Sequence, residues 1–484
     1  MVAPPFASAL VESLRGMGYG LPTAVADLVD NSVSARARHV RVEFSSDPGS
    51  GWVAVVDDGR GMPESVLHDA MRLGTAGPLA ARATGDLGRF GLGLKTASFS
   101  QARRLTVVSR AGTDLACRTW DLDLVGRLDE WRLLDQLDGQ AVRLAEDLGL
   151  TGSGTLVLWR DLDRVGEGPA LVEAMGAVAD HLGAVFGRYL AAGRLRLTVA
   201  GHEVPPWDPF LLHHAAAQDL GSEVLTLGGH ATTVTPYVLP HPARLTESEY
   251  RRAAGLRGWH SQQGFYVYRG NRLLTQGGWL GLRGLTKHPQ TRLARLAVDV
   301  DSDADHLWQV DVRKASVRSP SPLRARLTEL ATYARDRSEL VFRHRGAPVS
   351  APGRKLRALS FVWQQHSHHG KLGYRINREH PVVAAALQSS SGRTVEAVLR
   401  LVEQTVPVGL IAAEATSSPD RTPQASLDGV DPKEVRALLS SMVAGLPTDP
   451  TIRASAIRAL SGSEPFNRFP EVLDEVLEGE RGAD

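Results

Sequence analysis

The spacing of apolar residues predicts two helices at the start of the chain and a mixed sheet after them. Residues 8–38 carry apolar positions at helical intervals, interrupted by a turn at residues 19–22. Thr23 follows Pro22 and is placed to cap the second helix. The stretches HVRVEF and WVAVVDD then alternate as strands do, and a glycine-rich stretch from Gly59 to Gly93 follows them.

The next segment continues the same sheet. KTASFSQA is helical in pattern, whereas RLTVVSRA, LACRTWDLD, WRLLDQ and TGSGTLVLWRDL have the pattern of strands. Residues 168–193 again show helical spacing. Helices and strands in this order predict an α/β sandwich over residues 1–193.

The rest of the chain divides into four further parts. Residues 194–345 hold four predicted strands, of which RLRLTVAG is the first, and a long final helix, so we expect an α+β domain there. Residues 346–415 are a C-terminal extension, residues 416–426 (TSSPDRTPQAS) a linker, and residues 427–484 a helical, acidic tail. The predicted fold class is therefore α+β.

Composition excludes several classes of protein. Of the 484 residues, 43% are hydrophobic and 23% charged, which is ordinary for a soluble globular protein. No stretch reaches the roughly 20 apolar residues of a membrane span, and the N-terminus lacks the pattern of a secretory signal. The single Cys117 excludes a framework of disulfides within the chain. We expect a cytoplasmic protein without membrane contact.

Positive charge is concentrated in one stretch although the net charge is only +1. Residues 251–297 contain nine Arg or Lys residues and no Asp or Glu. A block of one sign in a neutral protein predicts a surface for a polyanion. The candidate side chains for contacts with DNA phosphates are Arg269, Arg272, Arg283, Lys287, Arg292 and Arg295.

Four short motifs carry the candidate chemistry. In VADLVDNSVSA, Asp27 and Asn31 are one helical turn apart with Asp30 close by, and such oxygens can align a water and ligate a hard cation. In VVDDGRGM, Asp57 ends a strand and can accept from an exocyclic amine, while Gly59 and Gly61 let a flat ligand approach the backbone. Taken alone, the first motif also fits a solvated helix face and the second an Asp-Gly turn.

The other two motifs lie further along. GDLGRFGLGLKTASFS is a glycine-rich loop that leads through Lys95 into a helix, a geometry that cradles phosphates, but its spacing matches neither the P-loop nor the dinucleotide fingerprint. In GSGTLVLW, Thr155 begins a strand. Taken alone, the first of these motifs also fits a mobile loop before a helix, and Thr155 also fits an ordinary strand residue.

In this order the four motifs resemble those of the GHKL ATPases, the superfamily of gyrase, the ninety-kilodalton heat-shock chaperone, histidine kinases and MutL. The resemblance covers about 160 residues. It implies a Bergerat-type ATP-binding domain with ATP and Mg²⁺ as cofactors, in which the glycine-rich segment from about Gly74 to Gly93 is the ATP lid. By the same resemblance, Asp27 is the general base and Asn31 the magnesium ligand. The remaining cofactor-binding residues that it implies are Asp57, Gly59, Gly61, Met62, Gly88, Gly91, Gly93, Lys95, Thr96 and Thr155.

Two departures from the family pattern matter. The usual base is glutamate, whereas Asp27 is one methylene shorter, so hydrolysis is expected to be slow. The usual continuation N-S-x-D-A reads N-S-V-S-A, with Ser34. In both respects, and in ESLRGMGY, the chain resembles bacterial MORC-like proteins.

Downstream stretches resemble the transducer domain of MutL and MORC-like proteins, a ribosomal-protein-like α+β domain. GFYVYRGNRLLTQGGW matches its strand and turn, and QVDVRKASVRSP matches the segment whose lysine reaches the γ-phosphate. Lys314 is that lysine, with a basic residue in an ordinary strand-to-helix connection as the simpler reading. The histidine-kinase class fits less well because that class places a phosphoacceptor helix before the ATP domain, and only 26 residues precede Asp27.

The leading hypothesis is a slow ATPase that acts as an ATP-gated dimeric clamp on duplex DNA, with residues 1–20 exchanged between the two copies. Kinship implies a role in anti-phage defence or restriction-related DNA processing, with protein partners that the sequence does not identify. The alternatives are a nucleotide-dependent scaffold with negligible turnover and a protein-remodelling chaperone of the heat-shock type. A transition-metal site at His366, His368 and His369 is a weaker reading, because no carboxylate or cysteine lies near them in sequence. A site at His213 and His214 is weaker still, because adjacent residues of the helix expected there point apart.

Overall fold

A computed structural model describes most of the N-terminal two thirds of the chain and part of the remainder. The described residues are 6–16, 18–74, 93–301, 304, 307–311 and 317–343, then 362–368, 371–388, 391–407, 432–446 and single positions beyond 407. The chain forms two compact units, residues 1–345 and residues 346–484.

The first unit contains a sheet of eight strands among its described residues. In spatial order these are β5 (Leu133–Leu134), β4 (Asp114–Asp121), β3 (Ala102–Ala111), β6 (Gly154–Leu162), β2 (Trp52–Asp57), β1 (His39–Ser45), β7 (Arg196–Val199) and β8 (His202–Glu203). Neighbouring strands are antiparallel except β1 and β7, which are parallel.

Alternation along the central strands gives this sheet two buried faces. In β2, Val53 and Val55 join one core cluster, whereas Ala54 and Val56 join another on the opposite face. The second cluster includes the buried Cys117, so the single cysteine packs as a core residue.

Helices cover both faces. The helices of this part are α1 (Ala7–Arg15), α2 (Leu21–Ser34), α3 (Glu64–Met71), α4 (Gly93–Phe99), α5 (Leu122–Leu128), α6 (Gly139–Asp147), α7 (Pro169–Val185) and α8 (Gly187–Ala191). Residues of α2, α4 and α7 pack in the larger core cluster, and Ala141 and Ala145 of α6 pack in the smaller one. The N-cap of α2 is Gly20, so Thr23 lies inside the helix and the predicted cap is wrong; Pro22 in the first turn fixes the earlier start.

A second sheet follows within the same unit. Its strands are β9 (Gln218–Asp219), β10 (Glu223–Leu227), β11 (His230–Val238), β12 (Gly264–Arg269), β13 (Arg272–Gln276) and β14 (Ala294–Val300). Its helices are α9 (Glu247–Ala254), α10 (Gly258–Gln262) and α11 (Arg324–Arg343). Strands β12 and β14 are parallel, and α11 packs on β11 and β14. The predicted α+β class is confirmed.

The strand RLRLTVAG differs from the expectation. The sequence assigns it to residues 194–345, but β7 pairs with β1 from His39–Arg196 to Val42–Val199 and therefore extends the first sheet. Local periodicity identifies a strand without identifying its partner, which explains the difference.

The second unit contains a hairpin and three helices among its described residues. These elements are β15 (Trp363–His368), β16 (Lys371–Ile376), α12 (Pro381–Gln388), α13 (Gly392–Thr405) and α14 (Pro432–Ala444). Arg378 forms ion pairs with Glu396 and Glu403 of α13 and so ties the hairpin to that helix. Over the described part of the chain, no helix is long and apolar enough to cross a membrane.

Candidate nucleotide-binding site

Asp57 is the last residue of β2, an inner strand of the first sheet, and its carboxylate is buried. Its Oδ1 accepts from the Gly59 N–H at 2.9 Å, and its Oδ2 accepts from the Ser32 hydroxyl of α2 at 2.9 Å. Burial raises the pKa of Asp57, and these two hydrogen bonds act in the opposite direction. The result is a fixed acceptor of the kind that can read an exocyclic amine.

The turn after β2 approaches its neighbours too closely for side chains. Gly61 has φ +66°, and a Cβ there would lie 1.8 Å from the Arg110 carbonyl oxygen. The N–H of Met62 donates to the Ser109 hydroxyl at 2.9 Å, and that hydroxyl lies 2.9 Å from the Thr155 hydroxyl. Thr155 therefore supports this wall through Ser109, and its backbone also hydrogen-bonds to Asp57.

Asp27 and Asn31 lie one turn apart on α2 but differ in environment. Asp27 is 2% exposed, whereas Asn31 is exposed. A Cβ at Gly93, the first residue of α4, would lie 3.8 Å from Asp27 Oδ2, so the end of the predicted lid lies beside this carboxylate. A buried carboxylate and an exposed carboxamide thus lie together where the lid ends.

Tyr19 connects Asp27 to α4. Its hydroxyl donates to Asp27 Oδ2 at 3.0 Å, and its side chain also hydrogen-bonds to Thr96, which is fully buried. Burial, and next the charge of Asp27, raise the pKa of Tyr19, so the phenol stays a donor. Nothing in the helical pattern of the sequence singles out Tyr19, which lies in the turn before α2.

Lys95 is buried rather than open to solvent. Its ammonium donates to the carbonyl oxygen of Ala70 in α3 at 2.8 Å. Burial lowers its pKa to about 8. Lys95 therefore links the start of α4 to α3. A contact between Lys95 and a phosphate stays a prediction.

Three predicted residues lie outside the described part of the chain: Gly88, Gly91 and Lys314. Asp311, three positions before Lys314, is described, and its charge acts on the pKa of Tyr19. Asp311 itself therefore lies near enough to the Tyr19 hydroxyl for its charge to act on it.

Four of the six candidate DNA contacts are buried, which corrects that part of the prediction. Arg269, Arg272, Arg292 and Arg295 are at most 7% exposed. Arg295 donates to the carbonyl oxygens of Pro209 and Ala253. Arginine can enter a core when carbonyls or carboxylates receive its N–H groups, and the spacing of charges along a chain does not reveal this.

Arg272 has the most informative of these positions. It begins β13 in the second sheet, and its Nε lies 2.8 and 2.9 Å from the two carboxylate oxygens of Asp30 in α2. Its Nη2 lies 3.7 Å from Asp27 Oδ1. This ion pair therefore joins α2 to the second sheet.

Arg283 and Lys287 are exposed, as the DNA-contact prediction requires. Arg257, also exposed, is close enough to lower the pKa of Lys287, although burial is the larger cause. Arg257, Arg283 and Lys287 are the exposed cationic patch referred to below.

The donor set fits magnesium better than a transition metal. Within the described residues no three His, Cys, Asp or Glu side chains cluster as a metal site. The side chains of His366, His368 and His369 lie outside the described residues, and His214 Nδ1 accepts from the Ala216 N–H. The exposed carboxamide of Asn31 is the kind of single oxygen ligand with which Mg²⁺ is held when phosphates complete its shell.

Comparison with known proteins agrees with this geometry. A family model described as histidine kinase-, DNA gyrase B-, and HSP90-like ATPase matches residues 19–155. This chain is 35% identical over 89 residues to the ATPase morc-1 of Caenorhabditis elegans, covering 18% of this chain and 10% of that protein. It is 38% identical over 97 residues to the DNA mismatch repair protein MutL of Acidiphilium cryptum (strain JF-5), covering 20% of this chain and 16% of that protein.

The matched region contains the two carboxylates and the glycine turn described above. Only 10% and 16% of the two relatives' own lengths are covered, so the similarity concerns the ATPase part. Residues 19–155 therefore form a domain of the GHKL ATPase type, and part of the chain is similar to MORC and MutL proteins.

Proposed function

We propose that this protein binds ATP with magnesium and hydrolyses it slowly, with Asp27 as the general base. The observation that carries the proposal is the position of the Asp27 carboxylate, buried beside Gly93 where the lid ends and one turn from the exposed Asn31. A general base must lie within hydrogen-bond reach of the attacking water, and a wall of the phosphate region provides that reach.

The remaining residues have separate roles in this proposal. Asp57, fixed by Gly59 and Ser32, accepts a hydrogen bond from the adenine amine. Asn31 holds Mg²⁺, which neutralises phosphate charge when bound. The lid, which reaches from about Gly74 to Gly93, closes over the phosphates, and Lys95 and Thr96 anchor its C-terminal end.

Low turnover follows from the size of the base. Aspartate is one methylene shorter than the glutamate usual in the family, so its carboxylate reaches less far toward a water. Tyr19 and Arg272 fix the orientation of this carboxylate, at 3.0 and 3.7 Å. The short side chain keeps the carboxylate close to the α2 backbone.

The wider activity we propose is that of an ATP-gated dimeric clamp on duplex DNA. Lys314 senses the γ-phosphate, two copies pair through residues 1–20, and the exposed cationic patch contacts DNA phosphates without reading sequence. The mismatch-repair name of one relative supports the DNA role. Kinship alone supports a place in bacterial anti-phage defence or restriction-related DNA processing.

A second candidate is a nucleotide-dependent scaffold with negligible turnover. The burial of Asp27, which is 2% exposed, favours this candidate, because a short carboxylate with little access to water can leave bound nucleotide unhydrolysed. Turnover therefore decides between the two candidates.

Asp27→Asn tests the catalytic assignment directly. Asparagine keeps the size of the side chain but cannot take a proton, so we expect steady-state phosphate release to fall by about 100-fold or more, with the Kd for a non-hydrolysable ATP analogue little changed. Asp58→Asn is the matched control, since Asp58 is an exposed aspartate that accepts from the backbone N–H groups of Arg38 and His39. Equal phosphate release by Asp27→Asn and wild type would refute the assignment.

The clamp is tested by mass in solution and by salt. We expect a dimer with the ATP analogue and a monomer without it, and no dimer in Lys314→Ala. Affinity for duplex DNA should fall by about 10³-fold or more between about 50 and 200 mM salt if six or more phosphates are contacted. A triple Gln variant at Arg257, Arg283 and Lys287 should flatten that dependence; an unchanged slope would remove the patch from the proposal.

A further inference from the structure

Arg272 touches the two buried carboxylates of α2 in different ways. Its Nε lies 2.8 and 2.9 Å from the oxygens of Asp30, which is a hydrogen-bonded ion pair. Its Nη2 lies 3.7 Å from Asp27 Oδ1, which is longer than a hydrogen bond and acts through charge. All three side chains are at most 2% exposed, so little solvent screens the contacts.

The carboxylate of Asp27 is consequently restrained from two sides. Oδ1 faces Arg272 of the second sheet, and Oδ2 accepts from Tyr19, which also hydrogen-bonds to Thr96 of α4. The position of Oδ1 therefore depends on the second sheet, and the position of Oδ2 depends on α4. Moving β13 by even about 1 Å alters where the carboxylate lies, which is a change large enough to affect a rate strongly.

We propose that Arg272 is a positioning residue for hydrolysis, which makes the reach of Asp27 depend on how β13 is docked against α2. This inference rests on the proposed role of Asp27 as the general base. Arg272 anchors on Asp30 and, from that anchor, directs its second N–H group at Asp27 Oδ1. The contacts of Arg272 given above are with the carboxylates of α2, whereas nucleotide affinity is assigned to Asp57 and Asn31, so we expect Arg272 to act on the rate and not on binding.

Arg272→Gln and Arg272→Lys test this in the full chain under single-turnover conditions with saturating Mg·ATP. We expect the hydrolysis rate of Arg272→Gln to fall by about 10- to 100-fold, with the Kd for a non-hydrolysable ATP analogue unchanged. Arg272→Lys keeps the positive charge and should recover part of the rate. A parallel loss of analogue affinity in Arg272→Gln would mean that Arg272 only maintains the structure, and would overturn the proposal.

Arg188→Gln is the matched control for loosened packing. Arg188 of α8 pairs with Asp299 of β14 and lies over the Tyr268 ring at 3.5 Å, so it joins α8 to the second sheet through side chains other than Asp27 and Asp30. Its loss should leave the hydrolysis rate unchanged. A loss of rate equal to that of Arg272→Gln would show that any weakening between the sheets suffices, which contradicts a specific role for Arg272.

Asp30→Asn combined with Arg272→Gln protects the test against misfolding, because the double variant leaves no unpaired charge on Asp30. If Arg272 acts through Asp27, the double variant folds and stays slow. Recovery of the wild-type rate would mean that Arg272 merely neutralises Asp30, and would overturn the proposal.

The two proposals fail in distinguishable ways. Undiminished hydrolysis by Asp27→Asn refutes the proposed function. An inactive Asp27→Asn together with a fully active Arg272→Gln refutes only the role of Arg272.

Discussion

The phenol of Tyr19 donates to Asp27 Oδ2 across 3.0 Å, and both side chains are buried. Tyr19 comes from the turn before α2, whereas Asp27 lies two turns into that helix. Since Thr96 also hydrogen-bonds to Tyr19, the orientation of the candidate base is coupled through Tyr19 to α4.

Tyr19→Phe should therefore lower hydrolysis more than binding. The ring keeps its packing, but one hydrogen bond to a buried carboxylate is lost, at a cost of about 1–3 kcal/mol in stability. We expect single-turnover hydrolysis to fall by about tenfold, with the affinity for an ATP analogue little changed. Tyr237→Phe is the control, because the Tyr237 side chain hydrogen-bonds to Thr235 of the same strand, β11. Unchanged hydrolysis in Tyr19→Phe would show that Tyr19 does not orient Asp27.

Base selectivity should depend on the acceptor at Asp57. Asp57→Asn replaces one carboxylate oxygen by an NH₂ group, so the amine of adenine meets a donor or a weaker acceptor. We expect ATP affinity to fall by about 10- to 100-fold and the preference for ATP over GTP to shrink, measured by competition with a fluorescent nucleotide. Ser32→Ala, which removes only the supporting hydroxyl, should have a smaller effect in the same direction. Full ATP preference in Asp57→Asn would assign adenine recognition elsewhere.

Lys95 predicts a proton uptake on binding ATP. Burial lowers its pKa to about 8, so at pH values above 8 the nucleotide-free protein holds much of this side chain neutral. A phosphate beside it favours the charged form, so ATP binding should take up protons there. Calorimetry in buffers of different ionisation enthalpy measures that uptake, which should vanish in Lys95→Met. Binding without proton uptake by the wild type would leave Lys95 with its structural contact to Ala70 only.

His181 predicts a loss of stability in mild acid. Burial first, and then the charges of Arg272 and Arg257, lower its pKa from 6.5 to about 4. At pH values between the two, His181 is protonated in the unfolded chain but neutral in the folded chain. The free energy of unfolding therefore falls as the pH falls and rises as the pH rises. Urea unfolding between pH 4 and 6.5 should show a shallower dependence on pH in His181→Gln than in wild type. The exposed His202, replaced by Gln, should leave the slope as it is.

Parts of the site that depend on neighbours in sequence could be predicted. Helix α2 follows from apolar spacing, and the turn after Asp57 follows from its glycines, because both signals are local. The placement of Asp57 against Thr155 in the ladder between β2 and β6 agrees with the paired motifs.

The parts of the site that depend on residues distant in sequence could not be predicted. Arg272 reads as one of several basic residues in an arginine-rich stretch, yet it is 242 positions from Asp30 and bonded to it. Tyr19 and Ser109 likewise gain their roles only when separate elements pack together. Side-chain direction, and not composition, decides whether an arginine faces a polyanion or a buried carboxylate.

The contact between Arg272 and Asp30 has a consequence for dissecting the protein. A fragment that ends at residue 193 contains every motif of the nucleotide site but lacks both β7 and Arg272. It leaves an edge of β1 uncovered and a buried carboxylate without its cation, and the loss of one partner from a buried pair costs about 3–5 kcal/mol. We therefore expect a fragment that ends at residue 193 to be less stable than one that also includes β7 and the second sheet.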